Sequence, residues 1–383
     1  MSDHIISENT IELDPDGLEA EDLGDMEETR SDPFNPKEVD IQVMSSIMDA
    51  VIKRLKNGEI DLLPDFQRSP DLWKKTIQGR LIESLLINLP IPAFYFDASD
   101  DDCWQIVDGL QRLSTIKNFV IDKKLKLTGL EFLKEYDGKT FDDLPRTLQR
   151  RIEEFPVTLY LIKPGTPEKM KYSLFHRINT GGLSLKAQEI RHAISQGTNN
   201  GRASQFLKKL SDSEGFCRVV STEGKRMSNC ELVLRHIAFI LQGLDSYKSS
   251  MVRYLDEGMV LLGNSDVAEL EQYQITFERS MQLAWDLFNE HAFKKSFTES
   301  ARIKVVNKPL FESLSVALSG LSESQTKCLI DQKNMFLDAF KELMNKPEFL
   351  DSISTSTANK EAFNYRFKET AKLVNQFSKE ISC

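Results

Sequence analysis

The feature that most constrains this chain is the handover at Ile106-Val107-Asp108-Gly109-Leu110-Gln111-Arg112-Leu113. A short apolar run, Trp104 to Val107, reads as a strand and meets a helical stripe across only Asp108-Gly109. A strand that gives way to a helix in two residues leaves no room for a loop. The helix must fold back on the sheet it has just left, which commits this region to layered α/β packing. Similar signals surround it. Val43 to Lys56 carries Val43, Met44, Ile47, Met48, Val51, Ile52 and Leu55 at helical spacing, with Gly58 as the stop. Ile60 to Leu63 reads as a strand ending at Pro64, and Asp71 is a candidate cap for a helix burying Leu81, Ile82, Leu85, Leu86 and Leu89. Ala93 to Phe96 and Phe155 to Ile162 read as further strands. Past Thr166 the pattern turns almost purely helical, over 169–178, 185–195, 201–211, 229–242, 266–290, 308–319, 325–345 and 359–381. The expected fold class is therefore α+β, with a small α/β domain over 37–165 and a helical domain over 166–383.

Charge marks a third segment. Of 59 acidic and 49 basic residues, 14 acidic and 2 basic fall within residues 1–40. The remaining 343 residues hold 45 acidic and 47 basic side chains and are close to neutral. Residues 1–36 accordingly read as a disordered acidic tail, either a solubilising leader or a competitor for a basic groove. No apolar run approaches the roughly 18 residues of a membrane helix, and no secretory signal is visible, so a cytoplasmic protein is expected. Cys103, Cys217, Cys230, Cys328 and Cys383 are scattered and include no CxxC pair, which fits reduced thiols rather than a zinc knuckle or a disulfide framework.

Three constellations can carry chemistry. In the first, Gly109 lets the chain turn and brings backbone near a ligand, while the first N–H groups of the following helix lack internal partners. An arginine in a first helical turn is unfavourable by roughly 0.3–1 kcal/mol, and a bound anion reverses that sign. Gln111, Arg112 and Ser114 can donate to phosphate oxygens, and Asp108 can hold Mg²⁺, orient a water or fix an arginine. An Asp-Gly turn with an incidental polar helix start accounts for the same residues. The second constellation, Pro64-Asp65-Phe66-Gln67-Arg68, repeats the Gln-Arg pair on a loop, with Trp73 as a core anchor or stacking group. The third runs from Phe175-His176-Arg177-Ile178-Asn179 to Gln188-Glu189-Ile190-Arg191. Arg177 and Arg191 either close over a ligand or form ion pairs such as Glu189 with Arg191. The histidines form no HExxH array, and neither a GxxxxGK[ST] loop nor a GxSxG elbow is present.

PDFQRSPDLW, LIESLLINLPIPAFYF, WQIVDGLQRLSTI and FHRINTGGLSLKAQEIRHA occur in this order over roughly residues 40–195. Together they resemble the N-terminal domain family of GmrSD-type restriction endonucleases, the DGQQR-motif proteins of phage defence. The resemblance implies a ParB/sulfiredoxin-like α/β fold, with Asp108, Gly109, Gln111 and Arg112 in the motif tied to nucleotide binding and hydrolysis. It places Gln67 and Arg68 in an upstream FQR element, and Arg177, Asn179, Glu189 and Arg191 in the RIN and ElR elements. Leu110 stands where the motif usually has its first Gln. Only His236 and His291 lie beyond residue 200, so the histidine-based nuclease domain of the DNA-cutting members is not expected here. The expectation is an NTP-binding, NTP-hydrolysing restriction-system module with Mg²⁺ as cofactor and a separate nuclease or defence protein as partner. A ParB-like DNA-binding adaptor without turnover is the alternative, and an oligomer is compatible with either.

Overall fold

A computed structural model describes residues 18–19, 21, 40–62, 73–167, 171–172, 174–175, 187–196, 201–220, 227–298 and 305–379. The chain divides into two compact units, Pro33–Gly201 and Met1–Asp32 together with Arg202–Cys383. The fold is α+β, with a five-stranded mixed sheet in the first unit and helices throughout the second.

The sheet comprises β1 (Ile41–Ile47), β2 (Ile60–Asp61), β3 (Phe94–Asp97), β4 (Trp104–Asp108) and β5 (Pro156–Ile162), in the order β1-β5-β3-β4-β2. β3 runs parallel to β5 and antiparallel to β4, and β2 joins β4 in parallel. Alternation along the strands decides what each face carries. Phe94, Phe96, Ile106, Val157, Leu159 and Leu161 point into one core. There they meet Met48 and Ile52 of α1 (Met48–Asn57), Ile82, Leu85 and Leu86 of α2 (Lys75–Leu86), Leu113 and Ile116 of α3 (Leu110–Ile116), and Ile152 of α4 (Arg146–Glu153). The opposite face carries Tyr95, Gln105, Asp108 and Tyr160. Helix α5 (Ala187–Gln196) packs against β4. The first unit therefore extends past residue 165, where the change to helical pattern had suggested a boundary.

Two local expectations change. Residues 41–47 form a strand rather than the first turns of a helix, because β1 pairs along its whole length with β5. Helical spacing and alternation overlap over so short a stretch, and Val43, counted toward the helical stripe, is 58% exposed. The α2 stripe also ends sooner than expected, with Leu89 past the helix and exposed. Gly58 is the α1 stop, left-handed at φ 74° with its N–H bonded to the last turn. Asp71 lies outside the described residues.

The second unit contains α6 (Arg202–Ser211), α7 (Glu214–Val219), α8 (Ser228–Gln242), α9 (Met251–Asn264), α10 (Val267–Phe288), α11 (Lys308–Ser319), α12 (Glu323–Asp331), α13 (Lys333–Met344), α14 (Pro347–Ser352) and α15 (Lys360–Phe377). α11 packs on α8, α10 and α15. The stretch 325–345 is two helices broken at Gln332, and α9 was not anticipated because Gly258 and Gly263 punctuate its pattern. No described helix is long and apolar enough to cross a membrane. The acidic tail is also not wholly a solvating leader. Leu18 is fully buried in this unit, and Glu19 and Glu21 pair with Lys295 and Arg235. Composition counted those carboxylates as water-seeking, whereas buried cations require them.

In the first unit one carboxylate holds a long connection in place. Oε1 of Glu83, on α2, accepts the backbone N–H groups of Phe132 at 2.7 Å, Leu133 at 2.8 Å and Glu131 at 3.1 Å. Burial works to raise the Glu83 carboxyl, but the N–H donors and Arg80 outweigh it and bring it below its ordinary value. A depressed carboxyl stabilises the fold above its unfolded pKa, and the contribution fades as pH falls through the folded value. Glu83→Ala should cost about 3 kcal/mol in urea unfolding at pH 7, since three backbone N–H groups lose their charged acceptor. Glu83→Gln should flatten the loss of stability below about pH 4.3, where an unfolded glutamate titrates.

Candidate functional site

The site forms where β4 ends. Asp97 pairs with Gln105 and Phe96 with Ile106, but Tyr95 pairs with Asp108, so β4 carries one extra residue at Val107. That bulge re-aims the strand end. It brings Asp108 into one cross-sheet row with Tyr95 and Tyr160, whose rings stack at 4.6 Å and 9°. Gly109 then turns the chain at φ 104°. A Cβ there would lie 2.4 Å from Cδ1 of Phe94, so the sharp entry into α3 requires glycine on both counts.

Arg112 folds back from the first turn of α3 rather than reaching outward. Its Nη2 donates to Oδ2 of Asp108 at 2.7 Å and to the Ala93 carbonyl at 3.2 Å. Its Nη1 donates to the Pro92 carbonyl, and the guanidinium lies 4.7 Å above the Phe94 ring. Of the roles open to Asp108 on sequence grounds, this arrangement realises the fixing of an arginine. The fork ties the segment before β3, the end of β4 and the start of α3 into one piece, which a lysine could not do. Burial raises the Asp108 carboxyl above its ordinary value, with Arg112 and the Gly109 N–H pulling it partway back. Burial likewise lowers Arg112, against the pull of Asp108. Tyr95 is raised by burial, and by Tyr160 and Asp108.

Gln111 is the anomaly. It is 7% exposed, and neither Nε2 nor Oε1 of its carboxamide has a hydrogen-bond partner. Ser114, one turn further and 2% exposed, has a buried hydroxyl in the same condition. A buried polar group without a partner costs about 1–3 kcal/mol, which a ligand able to complete its hydrogen bonding would recover.

Helix α5 brings Gln188, Glu189, Arg191, His192 and Ser195, all buried, onto the β4 side of the unit. Nη1 of Arg191 reaches Oε1 of Gln188 at 3.4 Å. Burial pushes His192 down to about 4, so its ring is neutral near pH 7. The structure thus gathers Asp108, Gly109, Gln111, Arg112 and Ser114 at one corner and seats Arg191 in the same unit. Gln67, Arg68, Arg177 and Asn179 lie outside the described residues.

Sequence reasoning overlooked Tyr95, Tyr160 and a buried ion pair between Lys171 and Asp97, 2.7 Å apart and shared with Ser99 Oγ at 2.5 Å from the amine. The alternation in Phe94-Tyr95-Phe96-Asp97 carried that signal, since a strand with one apolar face must direct Tyr95 and Asp97 to the other. Among the described residues no three His, Cys, Asp or Glu side chains are grouped to hold a metal ion.

Residues 50–195 match the family model of the GmrSD restriction endonuclease, N-terminal domain. No curated protein and no solved structure matches the chain. The matched stretch begins within α1 and ends within α5, covering β2 to β5 and the whole corner around Asp108. Strand β1 lies before it and completes the sheet.

Two substitutions separate brace from orphan in this unit. Arg112→Met should destabilise the first unit by about 3–5 kcal/mol, because Asp108 is left as an uncompensated, largely buried charge. Gln111→Leu should leave stability unchanged or raise it by about 1 kcal/mol, because an unpaired amide is replaced by a hydrocarbon of similar shape. Urea titration followed by tryptophan fluorescence reads both, since Trp104 is packed in the core of this unit.

Proposed function

We propose that this chain is a component of a restriction or antiphage defence system whose N-terminal α/β unit binds and hydrolyses a nucleoside triphosphate. The match of residues 50–195 to the GmrSD N-terminal domain supports the defence assignment. The observation that carries the nucleotide reading is the buried, unpartnered Gln111 carboxamide with Ser114 one turn away. Both belong to the helix that opens immediately after Asp108, a carboxylate fixed by an arginine. An amide and a hydroxyl kept without protein partners are donors held ready for phosphate oxygens, which is the preorganisation that phosphoryl transfer asks of a protein.

In this reading water attacks the terminal phosphorus. The new O–P bond forms as the bond to the bridging oxygen breaks, and the nucleoside diphosphate leaves. Asp108 accepts the proton of the attacking water, and its raised pKa makes the carboxylate a better base. Arg112 is a positioning residue that holds the Asp108 carboxylate, and Gln111 and Ser114 hold phosphate oxygens. Gln67, Arg68, Arg177, Asn179 and Arg191 are proposed to complete the phosphate clamp. Mg²⁺ would supply charge neutralisation on the phosphates. With no acidic cluster among the described residues to retain it, the ion would arrive chelated by the nucleotide, and Asp108 is its candidate protein ligand.

DNA cleavage is assigned to a separate partner protein. His236 is fully buried, with its Nδ1 2.9 Å from Ser315 Oγ, and burial pushes it down to about 3. His291 is exposed beside Glu290 and the Phe297 ring.

A thermal-shift panel of ATP, GTP, CTP and UTP with Mg²⁺, followed by phosphate release, tests the proposal. At least one nucleotide should raise the melting temperature and be turned over. Asp108→Asn should keep that shift and lose turnover by about 10²–10⁴-fold. Gln111→Leu should lose the shift while remaining folded. Full turnover in Asp108→Asn, or a full shift in Gln111→Leu, would remove the roles given to these residues.

A further inference from the structure

Among the described residues, the helical unit gathers a cluster of cations around two of its own carboxylates. Arg366, fully buried, donates from Nη2 to Oε1 of Glu312 at 2.5 Å, and from Nη1 to the Thr357 carbonyl at 2.7 Å and the Ser352 carbonyl at 3.3 Å. Arg235 of α8 reaches the other oxygen of Glu312 at 3.1 Å and Oε1 of Glu231 at 3.1 Å. Lys308, at the start of α11, lies 3.5 Å from the same Glu231 oxygen. Lys295 is buried nearby with Ser354 Oγ at 2.7 Å. Among the described residues of this cluster, the helical unit supplies four cations and two carboxylates.

The two missing carboxylates come from the far end of the chain. Glu21 takes Arg235 in a bidentate grip at 2.6 and 3.1 Å and accepts from Thr357 Oγ1 at 3.2 Å. Glu19 accepts from Nζ of Lys295 at 2.5 Å and from Nδ2 of Asn307 at 3.0 Å. The Glu19 N–H donates to the Val306 carbonyl at 3.3 Å, and Leu18 is fully buried beside it. The contact thus has one apolar anchor, one backbone hydrogen bond and two carboxylates spaced two residues apart, each meeting a cation. That is the scale and chemistry of a short linear motif recognised by an arginine cluster.

We propose that the helical unit carries a recognition groove for short acidic peptides of the pattern Leu-Glu-x-Glu, filled in this chain by its own Leu18, Glu19 and Glu21. Its external ligand is an acidic segment of a partner protein, and binding that segment frees the chain's own N-terminal region. A tethered ligand acts at an effective concentration of about a millimolar, so a partner prevails through higher affinity or additional contacts. Occupancy depends on charge pairing and weakens as salt rises.

The test uses the full chain with a specific protease site inserted between Glu21 and Asp40, cut only after folding, with circular dichroism read before and after. The probe is a fluorescent peptide spanning residues 12–28. The cut chain should stay folded, retain its N-terminal fragment at low salt, and exchange it for the probe. The uncut chain should bind the probe at least tenfold more weakly. A Glu19→Gln, Glu21→Gln version of the probe should also bind at least tenfold more weakly. Unfolding on cutting, a fragment that never exchanges with excess probe, or equal binding of the doubly substituted peptide would each overturn the proposal and make residues 18–21 a permanent part of the core. Displacement of the probe by inorganic phosphate or a single-stranded oligonucleotide at matched charge would also overturn it, because the groove would then read anions in general.

Discussion

The corner of the α/β unit depends on one guanidinium. Arg112 joins three stretches of chain that would otherwise diverge: the segment before β3, the end of β4 and the opening of α3. Everything proposed for the site assumes that geometry, since the bulge at Val107 presents Asp108 and the left-handed Gly109 delivers the chain into α3. Arg112 achieves this over an aromatic ring and largely out of water, where its pairing with Asp108 is stronger but also indispensable to both partners. Stability at this corner therefore comes from a hydrogen-bonded ion pair, and function is assigned to its unpartnered neighbours.

Gln111 and Arg112 are adjacent and both buried, yet their situations are opposite. Arg112 donates to Asp108 and to the carbonyls of Pro92 and Ala93, whereas the Gln111 carboxamide meets no partner. A core selected for stability alone would place leucine at residue 111. Retaining an amide at an energetic cost is the pattern expected where a ligand completes the hydrogen bonding. The same logic applies in the helical unit, where Glu21 and Glu19 add carboxylates beside the buried Arg235 and Lys295. In both units the buried polar chemistry needs something that the local elements do not supply.

Much of this was legible in the sequence. Strand, Asp-Gly and helix could be read from Trp104 to Ile116 because period-2 and helical spacing meet there without an intervening loop. The long helices were legible from their apolar stripes. Residues 41–47 were misread because seven residues with scattered apolar positions satisfy both periods, and only pairing with β5 decides between them. The direction of the Arg112 side chain was not legible either, since the carbonyls of Pro92 and Ala93 are about twenty residues away in sequence and become neighbours only through the sheet. Burial of Glu19 and Glu21 was hidden for the same reason, because their partners lie more than two hundred residues along the chain.

The most direct measurement of the central claim is a crystal structure of the full chain with a non-hydrolysable nucleoside triphosphate and Mg²⁺. The account predicts phosphate oxygens within hydrogen-bonding distance of Gln111 Nε2 and Ser114 Oγ, with the Asp108–Arg112 pair intact beside them. A Gln111 carboxamide satisfied by protein atoms, with the nucleotide absent or bound elsewhere, would contradict it.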